Sequence, residues 1–232
     1  MSRPRSSSPV YIPWWLWVIV TSVLVWYGFR YYQAARTGQV TPALPVRVSV
    51  ETARAVRGKE IGLISGHWGY DSGALCADGL AEVDVNRRVS ELSAEMLRAA
   101  GARVAILSEY DSRLEGLEAD VLVSIHADSC VEMSGFKVAR WVDSPRPERD
   151  DRLVQCLVER YATLTGLGFD RLRVTENMTQ YHAFRKIAPT TPAAIIEMGY
   201  LGGDRALLAE KPRTPALGIA EGVGCFLASW ER

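Results

Sequence analysis

Three histidines occur in the 232-residue chain: His67, His126 and His182. Two of them follow short apolar runs and enter turns of glycine or small residues, Gly66-His67-Trp68-Gly69 and Ser124-Ile125-His126-Ala127. One glutamate, Glu82, opens a stretch with helical spacing, and another, Glu197, closes the apolar run Ala193-Ala194-Ile195-Ile196. Two imidazoles and one carboxylate make a known three-ligand set for zinc, with a fourth position open to water. Zinc in such a set lowers the pKa of water toward about 7. A second carboxylate is then needed to take a proton and hand it to a leaving amine, and Glu197 is the candidate for that work. On residue types and spacing alone, plainer readings stay open. Glu82 is also the kind of acid favoured in the first turn of a helix, Glu197 reads equally as a loop carboxylate before Met198-Gly199, and a lone histidine is often a satisfied core or surface residue.

Convergence of these side chains depends on the elements that carry them. Residues 61–65 are a short apolar run that predicts a first strand. Residues 82–100 place Val85, Val89, Leu92, Met96 and Leu97 on one face and stop at Gly101, which predicts a helix with a glycine stop. Further strands are predicted at 103–107, 121–125, 137–142 and 193–196, and helices at 150–164, 204–209 and 215–230. Short buried strands alternating with helices predict an α/β domain of hydrolase-like type, with a central, mostly parallel sheet flanked by helices. In such sheets ligands gather at the carboxyl ends of the strands. His67 lies just past the first strand, His126 ends the third and Glu197 ends the last, while Glu82 opens a helix after the loop that begins at His67. All four side chains therefore belong to one rim of one sheet.

The composition, 48% hydrophobic and 23% charged, fits a packed core and excludes a disordered chain. Lys+Arg and Asp+Glu are equal at 27 each, so nothing supplies the concentrated positive field that a nucleic-acid partner needs. The chain divides into a basic, polar tail over residues 1–10, an uncharged apolar run over 11–29, a linker over 30–58 and a catalytic domain over 59–232. At about 1.5 Å per residue the apolar run is just long enough for a hydrocarbon core of about 30 Å. Trp14, Trp15 and Trp17 near one end and Trp26, Tyr27, Tyr31 and Tyr32 near the other form two interfacial belts. This predicts a single-pass helix in the cytoplasmic membrane, with Arg3 and Arg5 on the cytoplasmic side and the domain outside. A cleaved signal peptide, leaving a secreted domain, is the rival, although Ala34-Ala35 makes a poor cleavage site.

None of the four cysteines lies in a CxxC pair, so a thiolate metal knuckle is not supported. Cys76 and Cys130 lie in loops a few residues past His67 and His126, and in an exported domain a disulfide between them is expected; the alternative is two free loop thiols. Cys156 and Cys225 fall on apolar faces of predicted helices and read as inert core thiols.

Four segments, in order, carry a resemblance. Residues 65–74 (SGHWGYDSGA) and 79–86 (GLAEVDVN) resemble the opening of the zinc-dependent N-acetylmuramoyl-L-alanine amidases. Ser124-Ile125-His126-Ala127-Asp128 is similar to their second histidine motif, and residues 192–201, with Ile195-Ile196-Glu197-Met198-Gly199, to their catalytic-glutamate motif. The resemblance implies one zinc ion per chain, held by His67, Glu82 and His126, with Glu197 as general base. It implies cleavage of the amide between the lactyl group of N-acetylmuramic acid and L-alanine in peptidoglycan. Trp68 stands where the family usually has a second glycine, Asp128 where it has Asn and Tyr200 where it has Phe; an arginine common after the second strand is replaced around Ser108-Glu109-Tyr110. None of these departures touches a ligand or the base. Trp68 beside the metal could stack on a sugar or peptide, or close the loop by packing. His182 could meet substrate or a developing oxyanion, or lie at the surface. Arg185 suits a peptidoglycan carboxylate and suits a neighbouring acid as well. Two other functions compete: a zinc peptidase acting on another cell-wall amide, and a non-catalytic domain that binds cell-wall glycan.

Overall fold

The computed structural model describes residues 13–36 and 47–230. The expected tail, residues 1–10, lies outside the described residues, as does part of the expected linker. The chain forms two compact units, Met1–Pro45 and Val46–Arg232.

In the first unit, helix α1 runs over Trp14–Arg36. Large apolar side chains are exposed along it, Leu16, Val18, Ile19, Val23, Leu24 and Val25 among them. No helix among the described residues is long and apolar enough to cross a membrane. The expected apolar run over 11–29 is helical over its described part, and its tryptophans and tyrosines, with Thr21 and Ser22 at mid-length, dilute the aliphatic residues that carry hydropathy.

The second unit holds a five-stranded sheet in the order β2-β1-β3-β5-β4. Strands β1 (Glu60–Ser65), β2 (Arg103–Leu107), β3 (Val121–Asp128) and β5 (Ala193–Tyr200) are parallel, and the short edge strand β4 (Lys137–Ala139) is antiparallel to β5. Parallel strands are buried on both faces, and the period-2 alternation sorts their side chains. Leu63, Val123 and Ile196 join the larger core, under helices α3 (Glu82–Ala99), α4 (Pro147–Thr165) and α6 (Arg213–Trp230). Ile64, Leu122 and Ile195 join a smaller core on the opposite face, closed by Met178, Tyr181, Phe184 and Ile187 from the segment that includes the short helix α5 (Glu176–Thr179). The fourth expected strand, 137–142, is only three residues long, consistent with its edge position.

A short helix, α2 (Val50–Ala55), precedes β1 and packs on α6. Ser49 caps it and donates its hydroxyl to Glu221 Oε2 at 2.9 Å; Thr52 donates to the same oxygen at 2.7 Å. The domain unit therefore takes in residues that the sequence had assigned to the linker, because their partner lies on the last helix.

Cys156 and Cys225 are joined, with Cα atoms 5.6 Å apart, and so are not the free core thiols expected. Helical periodicity correctly puts each on an apolar face; it does not say that the two faces meet, which follows from the packing of α4 on α6.

Candidate active site

At the end of β1 the chain turns through Gly66 and His67. His67 has φ +65°, and it is the one non-glycine residue with positive φ among those described. A left-handed backbone at such a residue costs of order 1–3 kcal/mol and persists only where the surroundings fix it. Here they do. The His67 N–H donates to Glu109 Oε2 at 2.7 Å, and its carbonyl accepts from the N–H groups of Tyr70 (3.0 Å) and Asp71 (3.1 Å). Its Nδ1 is paired with Asp71 Oδ1 at 2.5 Å, which leaves Nε2 facing Glu82 Oε1 at 3.2 Å.

Glu82 is the first residue of α3 and is buried. Its Oε1 lies 3.2 Å from His126 Nδ1 and accepts from Asn86 Nδ2 at 3.0 Å. Its Oε2 accepts from the Ala74 N–H at 3.1 Å. His126 is buried near the end of β3. Two glycines make room for this cluster. A Cβ on Gly66 would fall 2.3 Å from His126 Cε1; one on Gly73 would fall 2.6 Å from Glu82 Oε2 and 2.8 Å from His67 Cδ2.

The donor atoms of His67, Glu82 and His126 all lie within 4.8 Å of one another. Two imidazole nitrogens and one carboxylate oxygen converging in this way fit a zinc ion, and the Asp71 carboxylate behind His67 is the kind of outer partner that orients a histidine ligand. The charges agree. Burial alone would push the Glu82 carboxyl up, but hydrogen bonds from His126 and His67 hold it far below the carboxylate range. The hydrogen bond from Glu82 raises His67 to about 9, against the opposing effect of burial.

Glu197 stands directly opposite His126 in the β3–β5 ladder and opposite Lys137 in the β4–β5 ladder. Its Oε2 has no hydrogen-bond partner among the described residues. Burial pushes its carboxyl up to about 7, which suits a group that must take and return a proton. His67, His126, Glu197, Glu109, Tyr110 and His182 line one cleft of about 460 Å³.

Glu109 is a buried member of the site that sequence reasoning passed over. Besides the His67 N–H it accepts from the Tyr181 hydroxyl at 2.8 Å and pairs with His182 Nε2 at 2.9 Å, and its Oε2 lies 3.6 Å from His126 Nε2. Burial raises its carboxyl, but His182 and the other donors outweigh this and hold it at about 2. It follows β2 by two residues, so the strand-end rule that selects His67 would have selected it too.

The remaining residues singled out from the sequence divide. His182 lines the cleft and stacks on Tyr110 at 4.3 Å between ring centroids. Trp68 is half-buried, with the Arg87 guanidinium 3.9 Å over its ring. Arg185 is exposed and donates to Gln180 Oε1 at 3.3 Å; it is not among the residues lining the cleft. Cys76 and Cys130 form the expected disulfide, which ties the loop after His67 to the loop after His126.

A sequence profile of the N-acetylmuramoyl-L-alanine amidases matches residues 61–223. The protein YqiI of Bacillus subtilis (strain 168) is 34% identical over 98 residues, which are 38% of this chain and 47% of YqiI, so the chain spans about half the length of that relative. Among solved structures, the CwlD amidase of Clostridioides difficile, in complex with the GerS lipoprotein, superposes with a TM-score of 0.60 at 20% identity, over 74% of this chain and 100% of that one. The amidase Ami1 of Mycobacterium smegmatis gives 0.60 at 19% identity over 75% and 99%, and AmiC2 of Nostoc punctiforme 0.56 at 24% over 76% and 99%. At such identities these likenesses establish a shared fold.

Proposed function

The chain belongs to the N-acetylmuramoyl-L-alanine amidase family, and we propose that it hydrolyses the amide between N-acetylmuramic acid and L-alanine in peptidoglycan, with one zinc ion held by His67, Glu82 and His126. The observation that carries this reading is the convergence of those three donor groups within 4.8 Å, with Glu197 presented beside them by the neighbouring strand. Zinc bound there supplies Lewis acidity toward the amide carbonyl and toward water.

The chain's own residues do the rest. Glu197, with its unpartnered oxygen in the cleft, takes the proton from the attacking water and delivers it to the departing L-alanine nitrogen. Asp71 fixes the ring orientation of His67, and Glu109 fixes the backbone on which that ring is mounted. A carboxyl that burial has brought to about 7 exchanges a proton readily in both directions near neutral pH.

The same reading places the domain on the extracytoplasmic side of the cytoplasmic membrane, with α1 as its anchor. Two disulfides suit an oxidising compartment. The exposed aliphatic residues of α1, between Trp14, Trp15 and Trp17 at one end and Trp26 and Tyr27 at the other, suit a lipid surroundings. Carbonate extraction of membranes from expressing cells, followed by protease treatment of intact spheroplasts, tests this. A protein that extracts freely, or a domain that resists protease, would refute the placement.

Digestion of purified peptidoglycan, with products identified by mass, tests the reaction. Free stem peptides beginning with an L-alanine amine are expected. Shortened peptides still attached to glycan would mark a peptidase, and undegraded wall a binding domain. Metal analysis of the purified domain is expected to return one zinc per chain.

A further inference from the structure

We propose that Tyr110, buttressed by Tyr70 and His182, is a stacking platform that binds a pyranose ring of the glycan strand beside the metal cluster. The proposal rests on the amidase reading and names the part of the substrate that one wall of its cleft receives.

Tyr70 and Tyr110 are the large aromatic residues left exposed in the Val46–Arg232 unit among the described side chains, at 66% and 51%. They are not scattered. Their ring centroids lie 4.7 Å apart in an edge-to-face arrangement, and Tyr110 stacks on His182 at 4.3 Å with planes 27° apart. His182 is in turn pinned through Nε2 to Glu109, and the Glu109 N–H donates to the Trp68 carbonyl at 3.0 Å. An exposed ring stacked on a pinned neighbour is pre-organised, so little side-chain freedom is lost when a ligand settles on it. Singly scattered surface hydrophobics need no explanation, whereas contiguous exposed aromatic surface points to a binding position.

The cleft lining indicates which ligand. Tyr110 shares it with His67, His126 and Glu197, so a group resting on this ring adjoins the reacting bond. Thr175, Asn177 and Gln180 add neutral hydroxyl and amide groups, and among the described residues no lysine or arginine lines the cleft. An aromatic face beside neutral hydrogen-bonding groups suits the C–H face, hydroxyls and acetamido group of a sugar. The carboxylates of a stem peptide would call for a guanidinium or ammonium group instead. In a muramyl peptide the scissile carbonyl belongs to the lactyl group that is ether-linked to the sugar, so the ring lies only a few bonds from the reacting amide. Trp68, the aromatic residue that the sequence brought forward for this role, is stacked under Arg87.

The test compares two substrates that share the scissile amide: a muramyl peptide, and a lactoyl peptide with the same stem but no sugar. In zinc-loaded protein, Tyr110→Ala is expected to lower the ratio of kcat/KM for the muramyl peptide over the lactoyl peptide by about tenfold, the scale of one aromatic stacking contact. Tyr110→Phe and Tyr110→Trp should hold the wild-type ratio. Binding of a peptide-free disaccharide, N-acetylglucosaminyl-N-acetylmuramic acid, measured by calorimetry, should weaken by the same factor in Tyr110→Ala. An unchanged ratio with unchanged disaccharide binding would overturn the platform and leave the amidase reading standing. A wild type that cleaves neither substrate would overturn the amidase reading itself.

Discussion

His126 and Glu197 are register partners on adjacent parallel strands, and immediately beyond them the β3–β5 ladder slips, between His126 and Asp128. Up to that point five consecutive pairs, from Leu122–Ala193 onward, are in step. Neighbouring strands lie about 4.8 Å apart, so the backbone ladder fixes the spacing between His126 and Glu197, the metal donor and the proton carrier of the proposed reaction. Separate strand ends thus present two chemistries to one point, and neither depends on a flexible loop.

That arrangement makes the roles separable. Glu197→Gln keeps size and shape but cannot carry a proton. Activity on peptidoglycan is expected to fall by about 10²–10⁴-fold, while metal analysis still returns one zinc per chain. Loss of zinc together with activity would instead make Glu197 a ligand.

Glu109 predicts a different signature. It accepts from the backbone of His67 and from two side chains, Tyr181 and His182, without being one of the three clustered donors. Glu109→Gln is expected to weaken zinc binding by about 10–100-fold, the usual cost of losing an outer partner. Excess zinc should restore much of the lost activity, which it cannot do for Glu197→Gln. A variant with wild-type zinc affinity would remove Glu109 from the site's support.

The placement of His67, Glu82, His126 and Glu197 together was legible in the sequence because each lies near the boundary of an element with a strong period. His67 and His126 close continuous apolar runs, Glu82 opens an amphipathic helix, and Glu197 follows Ile195-Ile196. Glu109 carries the same strand-end signal, but the resemblance marks its position only as one where a family arginine is missing. What stayed hidden depends on which surfaces meet. Arg87 covers Trp68 from the second turn of α3, Glu221 on α6 holds α2, and Cys225 on α6 meets Cys156 on α4. Periodicity assigns a residue to a face; only tertiary packing assigns that face a partner. The run over 11–29 is legible as a helix, but its lack of charge does not by itself give the hydropathy of a membrane span, because aromatic and hydroxyl side chains occupy much of it.

Two glycines that differ only in their surroundings give a matched pair. A Cβ on Gly66 would overlap the His126 ring, whereas one on Gly168 meets nothing within 4 Å, and neither residue has a positive φ. Gly66→Ala should displace His126 and abolish stoichiometric zinc. Gly168→Ala should leave zinc content and melting temperature within error of wild type. Equal zinc in the two variants would show that the His126 ring position is not what the metal requires.

Proton competition sets the last expectation. In the metal-free protein the Glu82 hydrogen bond raises His67 to about 9 from an ordinary 6.5. At neutral pH that imidazole therefore carries a proton, while Glu82 is already ionised. Zinc takes the neutral ring, so binding must expel the proton, and affinity rises at least about tenfold for each pH unit until His67 deprotonates near 9, more where the likewise raised His126 also gives up a proton. Stability of the metal-free protein runs the other way. A histidine whose folded pKa is raised contributes its stability fully below the unfolded value and loses it as pH climbs through the folded one. The metal-free melting temperature should accordingly decline between pH 6.5 and about 9, and zinc-loaded protein should not share that decline. Chelator-competition titrations at several pH values, with melting curves on both forms, measure the two effects. A zinc affinity that is flat between pH 7 and 9 would mean that His67 is neutral before the metal arrives, and that its pairing with Glu82 is not the ionic contact described above.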